Sequence, residues 1–181
     1  MGVITQQVGK YTAGKALQKA RELLLDQTPM KRDCGTLCGA ACCQSDESGE
    51  NGMLLYPFEE QFYQKPIEGF AFHLCKDDSL YKGGWRLVCE GTCPRKHRPL
   101  ACRLFPLRIA LYTEGETTFA KAELDPRSYI CCPLAEGGGL RAVSQDFIQA
   151  VEAAGNIMIR NVYLLEALYK EQDLINEMRR L

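Results

Sequence analysis

No long apolar run, no internal repeat and no excess of one charge marks this chain. No window of about 18 apolar residues is present, so nothing in the sequence predicts a bilayer-spanning helix. The opening MGVITQQVGKYTAGKALQKA lacks the apolar stretch and small-residue cleavage site of an export signal. Gln6 stands where a myristoylation pattern wants Ser or Thr. Lys and Arg total 22 against 23 Asp and Glu, a net charge of −1. That balance offers no general attraction to nucleic acid or to an anionic membrane. Histidine is scarce: His73 and His97 are the only two. Catalytic readings built on imidazole are therefore weak, with His97 weighed as a ligand or base against a plain turn residue.

Cysteine is what the chain has in excess, with ten in 181 residues. A chain of this length buries a core without covalent staples. An unexported protein in a reducing compartment keeps its thiols reduced or metal-bound, so the reading is cytoplasmic and disulfides are disfavoured. The expected fold is α+β, a small cysteine-rich domain with short strands and a hairpin, flanked by N- and C-terminal helices. Residues 1–181 read as a single domain, with a cysteine-cluster metal-binding core over about 30–135 and a C-terminal helical segment over 144–181.

Local patterns fill in that outline. Ala16, Leu17, Ala20, Leu23 and Leu24 recur at helical spacing and predict a helix from 12 to about 27, broken by Pro29 and the charges after it. A polar, glycine-bearing loop is expected over 44–52. Residues 53–64 predict a short strand and then a helical turn with Glu59 and Glu60 near its start. Short strands are expected at 70–74 and 85–88, around the Lys82-Gly83-Gly84 turn. Residues 107–113 and 117–124 alternate about Glu114-Gly115-Glu116 and predict a hairpin. In the tail, Val151, Ala154, Met158, Val162, Leu165 and Tyr169 form one apolar stripe along one or two helices, read as a cap on the core.

The thiols fall in two groups. Four lie within CGTLCGAACC, at Cys34, Cys38, Cys42 and Cys43; Cys89, Cys93, Cys102, Cys131 and Cys132 are dispersed, and Cys75 stands alone. On a regular helix Cys34 and Cys42 would be about 12 Å apart. Thiolates on one tetrahedral zinc lie within about 5 Å of each other. Either the chain coils tightly there, which Gly35 and Gly39 permit, or the thiols serve more than one centre. A buried, inert cysteine is the plain alternative, and it suits Cys75 best.

Two passages resemble a known family. CGTLCGAACC and HRPLACRLFPL, the latter an R-P-x-x-C-R-x-F-P run over 98–106, resemble the YkgJ-type cysteine-cluster proteins of bacteria and archaea. That family is described as a zinc- or iron-chelating domain and named for a CxxCxxCC motif. Here the first cluster is C-x3-C-x3-C-C, one residue longer in each gap. The resemblance implies Cys34, Cys38, Cys42, Cys43, Cys93, Cys102 and Cys132 as metal ligands. Cys89 joins them on its four-residue spacing from Cys93. Cys75 and Cys131 are set aside as packing residues. Pro99 is expected at the first turn of a short helix carrying Cys102, with Arg98 and Arg103 offsetting thiolate charge.

Soft thiolates favour zinc or iron, including an iron–sulfur cluster. A closed four-ligand zinc is structural, whereas an iron–sulfur cluster moves electrons and supports redox or protein-modification activity. The expected partner is thus a metal ion, with no membrane. One basic patch, Arg95-Lys96-His97-Arg98 with Arg103 and Arg108, is the sole argument for nucleic acid, and it is outweighed by the neutral charge elsewhere.

Overall fold

The computed structural model describes residues 3–31, 34–43, 52–91 and 93–180. The expected loop over 44–52 lies, up to residue 51, outside the described residues. The architecture is α+β, helical at both ends. Helix α1 (Val3–Leu23) leads to a single helical turn, α2 (Gly35–Cys38). Strands β1 (Gly52–Leu54), β2 (Phe72–Lys76) and β3 (Trp85–Cys89) make an antiparallel sheet in the order β1-β3-β2. Helix α3 (Leu100–Leu104) precedes the hairpin β4 (Leu107–Glu114) and β5 (Thr117–Leu124). A short α4 (Pro133–Gly137) then leads to α5 (Gln145–Met158) and α6 (Val162–Met178).

The hairpin is the floor of the main core. Its register pairs Leu107 with Leu124 and Glu114 with Thr117, and Gly115 takes φ +60° in the turn. Alternation then puts Leu107 and Ile109 on one face with Ala120 and Ala122. Against that face pack Val151, Ala154 and Met158 of α5, with Leu17 and Leu24 from the α1 end. Gly155 allows the close approach of α5: a Cβ there would lie 2.5 Å from that of Ala120. A smaller cluster of Leu55, Tyr63, Phe70 and Leu87 underlies the three-stranded sheet.

Three expectations shift, each for a visible reason. Helix α1 starts at Val3 and ends at Leu23. Its early turns are held by the α5–α6 corner, where Asn161 Nδ2 donates to Thr12 Oγ1 at 3.0 Å. Phe70 bridges Ile67 in a turn and fills the small core, so β2 begins two residues later than its apolar pattern suggests. The tail stripe does not run through. Asn161 caps a new helix, accepting from Tyr163 N and Leu164 N, and resets the phase. Val151, Ala154 and Met158 are buried as expected, but α6 buries Leu164, Ala167, Leu168 and Ile175, leaving Val162 and Tyr169 exposed.

Candidate metal centre

The first cysteine cluster coils back on itself. After the turn of α2, Gly39 (φ +58°) and Ala40 (φ +57°) take left-handed conformations in succession, and a 3-10 turn spans Ala41–Cys43. Two positive φ angles in a row reverse the chain, which a regular helix could not do. The tight coil the sequence allowed is present, with Ala40 instead of Gly35 as the second left-handed residue. Cys42 and Cys43 then stand with their sulfurs 3.9 Å apart. That is about the edge of a sulfur tetrahedron built on 2.3 Å metal bonds.

The dispersed thiols come to meet this coil. β3 ends at Cys89, whose thiol hydrogen-bonds that of Cys93. Pro99 precedes α3 as its N-cap residue, so the helix starts at Leu100 and carries Cys102 on its third residue. A 3-10 turn at Pro126–Ile130 follows the hairpin and places Cys131 and Cys132. A cavity of about 600 Å³ is lined by Cys34, Cys38, Cys42 and Cys43, by Cys102, and by Cys131 and Cys132. Cys89 and Cys93 adjoin it through Cys102, whose ionisation the field of Cys89 opposes.

Electrostatics ties the segments together. Burial pushes the Cys102 thiol up, and Cys43 and Cys89 push it further. Cys131 is raised by burial, then by Cys132, Cys38 and Cys43. The Cys43 bond raises Cys42, with burial and the charges of Cys43, Cys34 and Cys38 added. Cys89 is lowered, chiefly by the Cys93 hydrogen bond, while Cys93 is correspondingly raised. Cys43 therefore acts on thiols from three other segments, at 89, 102 and 131. Sulfurs crowded this way resist ionising together unless a cation joins them.

Of the eight sequence-derived residues, Cys34, Cys38, Cys42, Cys43, Cys102 and Cys132 line the cavity, while Cys89 and Cys93 lie outside its lining and reach it only through the field of Cys89 on Cys102. Cys131, read in the sequence as packing, lines the cavity beside Cys132; its adjacency to Cys132 was the one available signal. Cys75 lies outside it, its sulfur donating to Arg86 O at 3.7 Å across the sheet. His97 is not among the cavity's lining, and burial together with the charges of Lys96, Arg21 and Arg103 lowers its pKa. His73 pairs with Glu90 at 2.8 Å on the exposed side of the small sheet. No disulfide joins any of the ten cysteines. Among the described residues, no three His, Cys, Asp or Glu side chains are already arranged to hold a metal ion. The donor set fits zinc or iron in kind and number, and the remaining sulfurs would have to draw in on binding.

The two signature arginines divide. Arg103 is buried, and burial with the Arg21 charge lowers its pKa to about 10. It spends its three nitrogens on backbone carbonyls: Nε on Arg98, Nη2 on Lys96 and Nη1 on Arg21 of α1. Arg95 reaches the same helix end, donating to Leu25 O and Gln27 O. These guanidiniums satisfy carbonyls that a helix C-terminus leaves open. Charge compensation was expected of both Arg98 and Arg103; Arg103 acts as a clamp. Arg98 differs: its field lowers Cys89, Cys93 and Cys102, and its buried Nε has no hydrogen-bond partner among the described residues. Arg108 pairs with Glu123 at 2.7 Å, so much of the basic patch is engaged internally.

Under the clamp lies Glu59, fully buried, accepting from Arg21 Nη1 at 3.0 Å, Leu100 N at 2.7 Å and Tyr56 N at 3.2 Å. It fixes the start of α3, and with it Cys102, against α1. No sequence pattern pointed to this role.

No family model, no curated protein and no solved structure matches the chain. Among the described residues no helix is long and apolar enough to cross a membrane.

Proposed function

We propose that this chain is a cytoplasmic, thiolate-coordinating metal-binding protein of the YkgJ-type cysteine-cluster kind, holding zinc or iron mainly to organise its cysteine-bearing loops. One observation carries the reading: thiols from three separated segments line one cavity and a fourth pair, Cys89 and Cys93, adjoins it, with Cys43 in electrostatic reach of the other three segments. Packing alone does not explain this, because Cys42 and Cys43 are exposed and the others only partly covered. The candidate ligands are Cys34, Cys38, Cys42 and Cys43 with Cys89, Cys93, Cys102 and Cys132, and Cys131 joins them on its position. Arg98 would offset the charge of thiolates at 89, 93 and 102. A reducing cytoplasm suits thiols held for a metal.

Nine thiols exceed the four that one zinc or one cluster needs. That surplus leaves room for two sites or for spare thiols, and the second reading is an iron–sulfur protein with redox or protein-modification activity. Such a cluster would supply electron transfer.

Elemental analysis of protein purified without oxygen tests both. Stoichiometric zinc in colourless protein supports the structural reading. Iron with sulfide and absorbance near about 400 nm supports the second. Metal-free protein with fully reactive thiols that takes up neither metal overturns both.

A further inference from the structure

The cavity extends beyond the thiols, and its far walls have unmet polar chemistry. Among the described residues the buried side-chain nitrogens and oxygens without a hydrogen-bond partner are Tyr81 Oη, Arg98 Nε and Arg108 Nε. All three residues line this one cavity. Each of the three atoms can donate, and none is a carbonyl or carboxylate oxygen. A buried donor left unmatched is unfavourable, so an acceptor is the missing complement.

Arg98 belongs to the thiol end. Arg108 and Tyr81 share the cavity with Ala167, Glu171 and Leu174 of α6. Arg108 is 2% exposed, and its two terminal nitrogens are fixed by Gln172 Oε1 at 3.0 Å and Glu123 Oε2 at 2.7 Å. The Nε cannot turn away to find another partner. Nearby carboxylates are already committed: Glu171 accepts from Tyr56 and Arg127, and Asp125 from Arg127. Met53, Leu54, Leu80 and Leu134 supply apolar wall. About 600 Å³ suits a molecule of metabolite size.

We infer that this compartment binds a small organic acid with an apolar body, its acceptor oxygens taken by Arg108 and Tyr81. Positive charge remains to balance it, since the single carboxylate of Glu123 is shared by Arg108 and Arg179. A phosphoryl group fits less well. It carries a third oxygen and a second charge, and Asp125 and Glu171 bring two negative charges against the single Arg127 between them. The inference deepens the proposed function, because the acid would lie beside the thiolate-held metal.

Calorimetric titration of the full chain, purified without oxygen, with hexanoate, hexanol, hexylamine and inorganic phosphate tests it, with metal content measured on the same samples. Hexanoate is expected to bind and the other three are not. Tyr81→Phe should weaken hexanoate about fivefold to tenfold, the loss of one hydrogen bond. Leu174→Trp, at the half-open edge of the cavity, should abolish binding while leaving metal content unchanged. Equal binding of hexanol or hexylamine, displacement by phosphate, an unaffected Tyr81→Phe variant, or no hexanoate binding up to about 10 mM would each overturn the inference. Metal without hexanoate binding sinks this inference alone; hexanoate binding by metal-free protein sinks the thiolate reading alone.

Discussion

Two arginines five positions apart in one motif do different work, and only their partners tell them apart. Arg103 ties three backbone carbonyls together, including one at the end of α1. A lysine has one nitrogen and cannot span the three, so Arg103→Lys should lose about 1–3 kcal/mol in urea unfolding. Arg98→Gln should stay within about 0.5 kcal/mol of the parent yet hold metal less tightly in a chelator competition. Equal stability losses in the two variants would erase the distinction. Glu123 gives a residue-level pH test. Burial raises its carboxyl, but Tyr112, Arg108 and Arg179 outweigh burial and hold it below the ordinary value. A carboxylate lowered in the folded state stabilises fully above its unfolded value of about 4.3 and loses that contribution as acid carries it through the lowered value. The stability gap between parent and Glu123→Gln, on the order of 1 kcal/mol at neutral pH, should therefore close on acidification. A gap that is constant with pH would contradict the assignment.

Elements were legible where a pattern is local. Alternation about Glu114-Gly115-Glu116 suffices for the hairpin, because side-chain period and turn residue agree over one continuous stretch. The glycines likewise permitted the coil at Cys34–Cys43 without requiring it, and gave no sign that Ala40 shares the left-handed geometry of Gly39. Legibility ended where remote contacts decide. The tail reads as one stripe until Asn161 caps α6 and shifts its phase, and Phe70 leaves its strand to fill a core made with Tyr63 and Leu87. The packing of α5 on the hairpin rests on Gly155, where a Cβ would lie 2.5 Å from Ala120 Cβ and 2.8 Å from Ile109 Cγ2. Gly155→Ala should cost about 1–3 kcal/mol and lower Tm, although alanine is the better helix former by about 1 kcal/mol. A raised Tm would mean that α5 and the hairpin separate without cost.

Over the whole molecule, the fold brings cysteine-bearing ends to one place. β3 ends there, α3 begins there, and the turn after β5 returns there, with α3 anchored by two groups that carry no sulfur, Glu59 and Arg103, and the turn by the hairpin register. Which cysteines would gather was partly readable from spacing, since clustered thiols beside polar loops are poor packing. Their convergence was not, because it depends on a buried carboxylate and a clamp that resemble ordinary charged residues in sequence. X-ray absorption at the metal edge, on anaerobically purified parent and on Cys43→Ser and Cys102→Ser variants, tests that convergence most directly. The expected result is a shell of sulfur at about 2.3 Å in the parent, thinned or lost in both variants although their cysteines lie in different segments. A shell of nitrogen and oxygen, or one unchanged by both substitutions, would contradict a shared thiolate site.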